Sequence, residues 1–149
     1  MIRRATIDDL SSLLQMAEDF KNSSPYKELE FQKEFVIQNI TSMLINPLFA
    51  IFIAENAEGI PVGMLAGVVT NQLFSTAPTA GELVWWVNPE ARNSKVGSEL
   101  HSSFQQWAIN KGCLTASMVL LENGDLEIID KMYEQMGYSP AERSYFKVL

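Results

Sequence analysis

The apolar and polar positions follow two different periods along the chain, and each change of period marks a new element. Residues 1–5 can form a short strand. A helix follows, started by the capping-box sequence of residues 6–9, and its apolar residues recur every three or four positions. They are Leu10, Leu13, Leu14, Ala17 and Phe20. A second helix is expected from about Glu28 to Leu44, where an Asn-Pro pair stops it.

Short continuous apolar runs in the middle of the chain are typical of buried strands. Residues 49–54 and 62–70 predict two strands of a hairpin, joined by a polar loop that contains a glycine. Residues 74–79 are expected to form an exposed connection. Residues 82–88 predict the central strand, because they are largely β-branched and aromatic and because Pro89 ends the run.

The second half of the chain alternates between helix and strand. A helix from Val96 carries one apolar stripe, residues 114–121 predict another buried strand, and a helix ended by Gly137 follows. Residues 142–148 predict the last strand. The order β, α, α, β, β, β, α, β, α, β indicates an α/β fold with a mixed sheet and helices on both faces.

Composition and charge narrow the class of protein. A chain of 149 residues with 47% apolar content can fill one core, so we expect a single domain over residues 1–149. The net charge of −7 argues against a nucleic-acid partner and against an anionic membrane surface. The apolar runs are too short to span a bilayer, and the one cysteine can form no internal disulfide and no metal cluster. We therefore expect a cytoplasmic monomer or homodimer without a metal.

The stretch between the central strand and the third helix has the features of an anion site. The backbone N–H groups at the start of this helix are unpaired and point the same way, which suits a pyrophosphate. The residues concerned are Arg92, Asn93, Ser94, Lys95, Val96, Gly97 and Ser98. Neither GxxxxGK[ST] nor GxGxxG occurs, so triphosphate and dinucleotide sites are less favoured. The alternative is an ordinary turn with a solvated basic pair.

Two motifs resemble those of the GNAT family of N-acetyltransferases. Residues 87–89, with Arg92 and Gly97, are similar to the acyl-CoA loop of that family, V-x-P followed by [Q/R]-x-x-G-x-[G/A]. Lys95 stands where the family usually has its first glycine. Residues 133–138, YEQMGY, resemble the Y-E-x-x-G-[F/Y] motif about forty residues further on. The resemblance implies a GNAT-like fold, a mostly antiparallel twisted sheet of six to seven strands splayed around an acetyl-CoA site.

The resemblance also implies a mechanism, in which a primary amine attacks the thioester of acetyl-CoA directly, without a metal. Residues 92–98 would bind the diphosphate, and the backbone of Val87 would pair with the pantetheine arm as an added strand does. Asn123 is a looser candidate for holding that arm. Tyr133 would be the general acid that protonates the leaving thiolate.

A base is useful because an alkylamine is almost entirely protonated at neutral pH. Glu82 is the first candidate, since an unpaired carboxylate within a central strand is costly unless it has a role. Its side chain shares a face with Val87 only if a bulge interrupts the strand, and the resemblance implies such a bulge. Glu122 and a water relay are the alternatives, and a surface or salt-bridged role for either carboxylate stays open.

The acceptor is the least determined part of the prediction. Tyr26, Glu30 and Phe74 lie on loops that border the acceptor cleft in similar folds. Trp85 and the next residue face opposite sides of their strand, and we assign Trp85 to the acceptor pocket. The acceptor is a small-molecule amine or a peptide or protein amine, and the acyl group is acetyl or longer. A non-catalytic CoA-binding or acidic interaction module is the alternative function.

Overall fold

The structure is a computed structural model and describes residues 1–122 and 126–149. The helices and strands follow the predicted order as far as the last helix. Their bounds are β1 Ile2–Arg4, α1 Leu10–Asn22, α2 Lys33–Ile45, β2 Phe49–Glu55, β3 Pro61–Gln72, β4 Ser75–Val87, α3 Val96–Asn110, β5 Thr115–Ser117 and α4 Leu126–Gln135. Three short 3-10 turns, Ile7–Asp9, Pro25–Glu28 and Pro89–Ala91, precede α1, α2 and α3.

The strands form one mixed sheet in the order β1-β2-β3-β4-β5. Neighbours from β1 to β4 are antiparallel, and β5 is parallel to β4. The parallel pair follows from the connection, because α3 carries the chain back across the sheet before β5 begins. The mostly antiparallel sheet is therefore confirmed, with five strands in the described residues where six to seven were predicted.

Helices cover both faces of this sheet, as predicted. Helices α1 and α2 pack on one face, whose buried core is Leu13, Met16, Ile40, Ile51, Ile53, Met64, Ala66 and Trp86. Helix α3 packs on the other, over a core of Ala50, Phe52, Ala54, Val62, Leu65, Ala80, Leu100, Phe104 and Ala108. Strands β2 and β3 are buried on both faces, which explains why they read as continuous apolar runs.

Helix α3 packs on β3 at a glycine of that strand, Gly67. A Cβ atom added to Gly67 would lie 2.5 Å from the ring of Phe104, which is fully buried. No side chain fits at that distance, so Gly67 allows the ring to rest on the strand backbone. This contact positions α3, and the loop that precedes it, relative to the sheet.

In the first half of the chain, two element boundaries differ from the predicted ones. Helix α2 begins at Lys33 instead of near Glu28, because Pro25–Glu28 forms a separate turn in which the side chain of Ser24 accepts the N–H of Tyr26. Residues 74–79 are not an exposed connection. Strand β4 begins at Ser75, since β3 also extends to Gln72 and the two strands pair up to their turn.

In the second half of the chain, two predicted strands differ from the observed structure. Strand β5 has only three residues instead of the predicted run 114–121, because it pairs with β4 at Thr79–Gly81 and the two strands then separate. Residues 142–148 are not assigned to a strand. A strand needs a hydrogen-bonded neighbour as well as suitable residues, and none of the sheet's pairings involves this segment.

Candidate active site

A β-bulge in β4 decides which way Glu82 points. Val84 and Glu82 face consecutive residues of β3, so Leu83 is the extra residue of the bulge. The bulge reverses the alternation of side chains, and Glu82 comes to the same face of the sheet as Trp85 and Val87. The expected bulge is therefore present at the position where the Glu82 prediction needed it.

The edge of β4 is open at the end of the strand. The N–H of Asn88 donates to the carbonyl of Val62 at 2.9 Å. Because antiparallel pairs alternate, the N–H and C=O of the preceding residue, Val87, point away from β3. Strand β5 pairs with β4 only at Thr79–Gly81, and no strand in residues 1–122 or 126–149 pairs with this part of the edge. An extended ligand can therefore pair with Val87.

Donor groups are exposed where α3 begins. Asn93 adopts a left-handed conformation, φ 62°, which turns the chain into α3. Within the part of the chain that the structure describes, the backbone N–H groups of Gly97 and Ser98 donate to no other group of the protein, whereas that of Val96 donates to Ser94 Oγ at 3.2 Å. The first turn of a helix with free N–H groups attracts anions.

The two cations of this loop lie in different surroundings. Arg92 Nε donates to the carbonyl of Val87 at 3.0 Å, and its guanidinium lies 4.9 Å from the ring centroid of Trp86. Lys95 is the residue that precedes the first turn of α3 and is exposed. Lys95 thus has no side-chain partner among the described residues, while Arg92 occupies the open edge of β4.

Glu82 is almost completely buried, with 7% of its surface exposed, and one carboxylate oxygen accepts the N–H of Val119 at 2.9 Å. Burial raises the pKa of Glu82 to about 7, against a smaller opposing effect of that hydrogen bond. A carboxyl with such a pKa changes its protonation state near neutral pH, as a general base must.

Tyr133 is also buried and binds the same residue from the other side. Its hydroxyl donates to the carbonyl of Val119 at 2.8 Å. Burial, and then the charge of Glu82, raise the pKa of Tyr133 well above its usual value, so the phenol is protonated at neutral pH. The two predicted catalytic side chains thus meet at one backbone position, just beyond the point where β4 and β5 separate.

The sequence profile of the acetyltransferase (GNAT) family matches residues 10–138. The chain belongs to the GNAT acetyltransferase family. The match includes both motifs, the loop before α3 and the one at the end of α4. No curated protein matches the chain by sequence.

Solved structures share the GNAT fold over the whole chain. A complex of AAC(6')-Iy with a bisubstrate analogue of CoA and acetylneamine has a TM-score of 0.80 at 19% identity, covering 100% of this chain and 97% of that one. A transcriptional regulator from Bacillus halodurans has a TM-score of 0.81 at 20% identity, covering 100% and 99%. An aminoglycoside 6'-N-acetyltransferase from Acinetobacter haemolyticus has 0.77 at 16%, covering 100% and 97%. At these identities the likeness shows the fold.

Of the two further residues of the predicted GNAT site, Glu122 and Asn123, the structure describes only Glu122. Glu122, the competing base, is half exposed and forms an ion pair with Arg143 at 2.8 Å. This is the surface role that the sequence left open for it. Asn123 lies outside the described residues. Of the two carboxylates, Glu82 is the one that the fold brings to Tyr133.

The predicted acceptor contacts are spread over several elements. Tyr26 packs edge-on against the ring of Phe146 at 5.2 Å, and Glu30 is exposed between the second 3-10 turn and α2. Phe74 is 92% exposed at the turn of the β3–β4 hairpin. Trp85 faces α3, opposite to Trp86, and its ring neighbours are His101 and Tyr133. Trp85 thus lies on the face of the sheet that α3 covers, and its assignment to an acceptor pocket stays a prediction.

The sequence predicts no role for two members of the site, His101 and Tyr138, although Tyr138 is the last residue of the motif at residues 133–138. His101 lies on the inward face of α3, three residues before Phe104, and this spacing was the signal that could have placed it in the interior. Tyr138 follows Gly137 at the end of α4, and its hydroxyl lies 2.9 Å from His101 Nε2.

Within the described residues, no three His, Cys, Asp or Glu side chains are grouped so that they could hold a metal ion. None of the helices that the structure describes is long and apolar enough to cross a membrane.

Proposed function

We propose that this chain is an acetyl-CoA-dependent N-acetyltransferase that transfers an acetyl group to a primary amine by direct attack on the thioester. One observation carries the proposal. The open edge of β4 at Val87 runs from the free N–H groups of α3 towards the point where Glu82 and Tyr133 meet at Val119. That is the arrangement that an extended thioester with a diphosphate at one end requires.

The cosubstrate would bind at two places, the free N–H groups of α3 and the open edge of β4. The N–H groups of Gly97 and Ser98, with the charge of Lys95, would hold the diphosphate. The pantetheine arm would pair with Val87 along the edge of β4. Arg92 now donates to the Val87 carbonyl, so it would leave this acceptor to the arm and become available to the phosphate groups.

The chemistry would follow from the protonation states of the two buried side chains. Glu82, ionised above about pH 7, would take the proton of the attacking ammonium directly or through a water molecule. The N–H of Val87 would stabilise the oxyanion. Tyr133 would exchange its hydrogen bond to Val119 for one to the leaving sulfur and protonate it.

A small-molecule amine is the acceptor that we favour. The AAC(6') structures are those of enzymes that acetylate aminoglycosides, which are small polyamines. The net charge of −7 suits a cationic acceptor. A peptide or protein amine and an acyl group longer than acetyl are the alternatives within this reaction class.

A non-catalytic CoA-binding module is the second candidate, and a specific observation favours it. The hydroxyl of Tyr133 is buried and already hydrogen-bonded to Val119, and its raised pKa makes it a weaker acid. A protein that only binds CoA would keep this bond when the ligand enters. Turnover separates the two candidates.

The test combines ligand-induced stabilisation with release of the CoA thiol. Thermal melts with CoA, acetyl-CoA and ATP should show stabilisation by the first two alone. Acetyl-CoA with a panel of aminoglycosides, polyamines and peptide amines should then release thiol with at least one amine. Tyr133→Phe should lower turnover with little change in CoA affinity, while Tyr145→Phe, which removes a hydroxyl from an 87% exposed ring, should change neither. CoA binding without turnover for any amine would support the module.

A further inference from the structure

The chain's single histidine is buried in the protein and is bound to the end of another helix. Only 4% of the surface of His101 is exposed, and its Nε2 lies 2.9 Å from the hydroxyl of Tyr138. The two residues are 37 positions apart. Burial lowers the pKa of His101, which favours the neutral imidazole. Either neutral tautomer can form this bond, since Nε2 accepts the hydroxyl proton of Tyr138 when Nδ1 is protonated and donates to the hydroxyl oxygen when Nε2 is protonated. The hydrogen bond therefore joins α3 to the residue that follows α4.

Tyr138 is in turn fixed to Tyr133 through the main chain. Gly137 adopts a positive φ of 87°, and the N–H of Tyr138 donates to the carbonyl of Tyr133 at 3.0 Å. This bond closes the end of α4 in the manner of a Schellman motif. The main chain of Tyr138 is therefore held against the residue that carries the proposed acid.

Four aromatic rings form a closed circuit around this connection. The ring centroids of Trp85 and His101 are 6.0 Å apart, those of His101 and Tyr138 5.5 Å, those of Tyr138 and Tyr133 5.8 Å, and those of Tyr133 and Trp85 6.1 Å. Each distance is within the range of favourable aromatic contacts. The ring of Tyr133 is thus held on two sides, by Trp85 and Tyr138, and both of these contact His101.

His101 lies four residues after Gly97, one turn further along the same helix. The proposed diphosphate site and the proposed acid belong to different helices, α3 and α4, so their relative position depends on tertiary contacts. The bond between His101 and Tyr138 is the direct polar contact between α3 and the end of α4 in the described residues. It therefore helps to hold the end of α4, and with it Tyr133, in position relative to the N–H groups of α3.

We propose that His101 and Tyr138 are positioning residues for the acetyl transfer, whose hydrogen bond holds Tyr133 at the correct distance from the cosubstrate loop. The inference rests on the proposed role of Tyr133. Neither residue touches the reacting atoms. Their effect is therefore expected on kcat, and only where the hydroxyl of Tyr133 is present.

The first experiment is a double-mutant cycle of Tyr133→Phe and Tyr138→Phe, measured as kcat at saturating acetyl-CoA. Tyr138→Phe removes one hydroxyl and keeps the ring, and it should lower kcat about five- to tenfold, the effect of one hydrogen bond, with CoA affinity changed less than twofold. The double variant should be no slower than Tyr133→Phe alone, because Tyr138 acts through Tyr133. Tyr145→Phe is the matched control and should match the wild type.

Two substitutions of His101, the other partner in the hydrogen bond, test whether a different hydrogen-bonding side chain can maintain turnover. His101→Gln keeps a hydrogen-bonding group near the position of Nε2 and should retain most of the turnover. His101→Leu cannot hydrogen-bond and should lose as much as Tyr138→Phe. Equal losses in both variants would mean that the imidazole only fills space, and the proposal would be wrong.

A measurement that does not depend on enzyme activity is possible because His101 is the only histidine of the chain. In tag-free protein labelled with nitrogen-15, the imidazole gives one set of signals, and Tyr138→Phe should shift the Nε2 resonance while the melting temperature shows that the variant is folded. An unchanged resonance would overturn the proposed bond.

The outcomes separate this inference from the proposed function. If Tyr133→Phe slows turnover and Tyr138→Phe does not, or if their effects multiply, the positioning role is wrong and the acid assignment stands. If Tyr133→Phe leaves turnover unchanged, the acid assignment fails and the positioning role fails with it.

Discussion

Replacing Glu82 by glutamine separates the charge of this side chain from its shape. Glutamine is nearly isosteric, and its side-chain carbonyl can still accept the N–H of Val119, but it does not titrate. In the wild type, burial raises the pKa of Glu82 from 4.5 to about 7. The folded protein thus holds a proton between these pH values that the unfolded chain releases, and its stability falls as the pH rises through this window.

The magnitude follows from the same two values. Because one pKa unit corresponds to about 1.36 kcal/mol, ionising Glu82 costs the folded state about 3 kcal/mol above pH 7. The glutamine variant does not have this cost. Urea unfolding of both proteins from pH 4.5 to 8 should show the wild type losing 2 to 3 kcal/mol relative to Glu82→Gln (an order-of-magnitude figure).

The same pair of proteins tests the role of Glu82 in catalysis. The kcat/KM of the wild type should rise with pH through about 7, as the carboxyl ionises. Glu82→Gln should lack this rise and be slower at pH 8 by about 100-fold or more, the usual contribution of a general base. Glu122→Gln, which removes an exposed partner of Arg143, should leave both profiles unchanged. Parallel stability curves for the wild type and Glu82→Gln would refute the raised pKa, and parallel kcat/KM profiles would refute the base.

Substitutions at three further positions test the loop before α3, the packing of α3 on β3 and the ion pair of Asp9 with Arg3. Gly97→Glu should weaken CoA binding at least about 100-fold by charge repulsion at the α3 amides, whereas Gly97→Ala, whose Cβ makes only an ordinary contact, should bind CoA in calorimetry nearly as the wild type does. Gly67→Ala should lower the free energy of unfolding by about 1–3 kcal/mol in urea, because its Cβ would overlap the ring of Phe104. Arg3 lowers the pKa of Asp9 to about 2, so the wild type should lose stability as the pH falls from about 4 to 2, and Asp9→Asn should show no such loss in acid melts.

The elements that were predicted correctly are those whose burial follows a local period. Helices α1 and α3 each carry one apolar stripe, and β2 and β3 are buried on both faces, so their residues alone indicate them. The bulge in β4 could be expected only through the family resemblance. Nothing in the residues 82–87 themselves requires it, because a bulge depends on the register with the neighbouring strand.

The elements that were missed depend on distant partners. Ser75 begins a strand because β3 provides a hydrogen-bonded neighbour there, although the residues that follow read as a loop. The contact of His101 with Tyr138 joins α3 to a residue that follows α4, 37 positions away, and no local pattern links two such distant positions. The candidate anion site before α3 could be predicted from the sequence because all of its N–H donors belong to consecutive residues. The aromatic circuit behind it comes from three separate elements and could be found only in the fold.

The most direct test of the proposed site is a crystal structure of the protein with CoA. The account predicts that the diphosphate accepts hydrogen bonds from the N–H groups of Gly97 and Ser98, that the arm pairs with Val87 after Arg92 has left its carbonyl, and that the sulfur lies beside the hydroxyl of Tyr133. A ligand bound away from the open edge of β4, or a Tyr133 that keeps its bond to Val119 beneath a bound thiol, would contradict it.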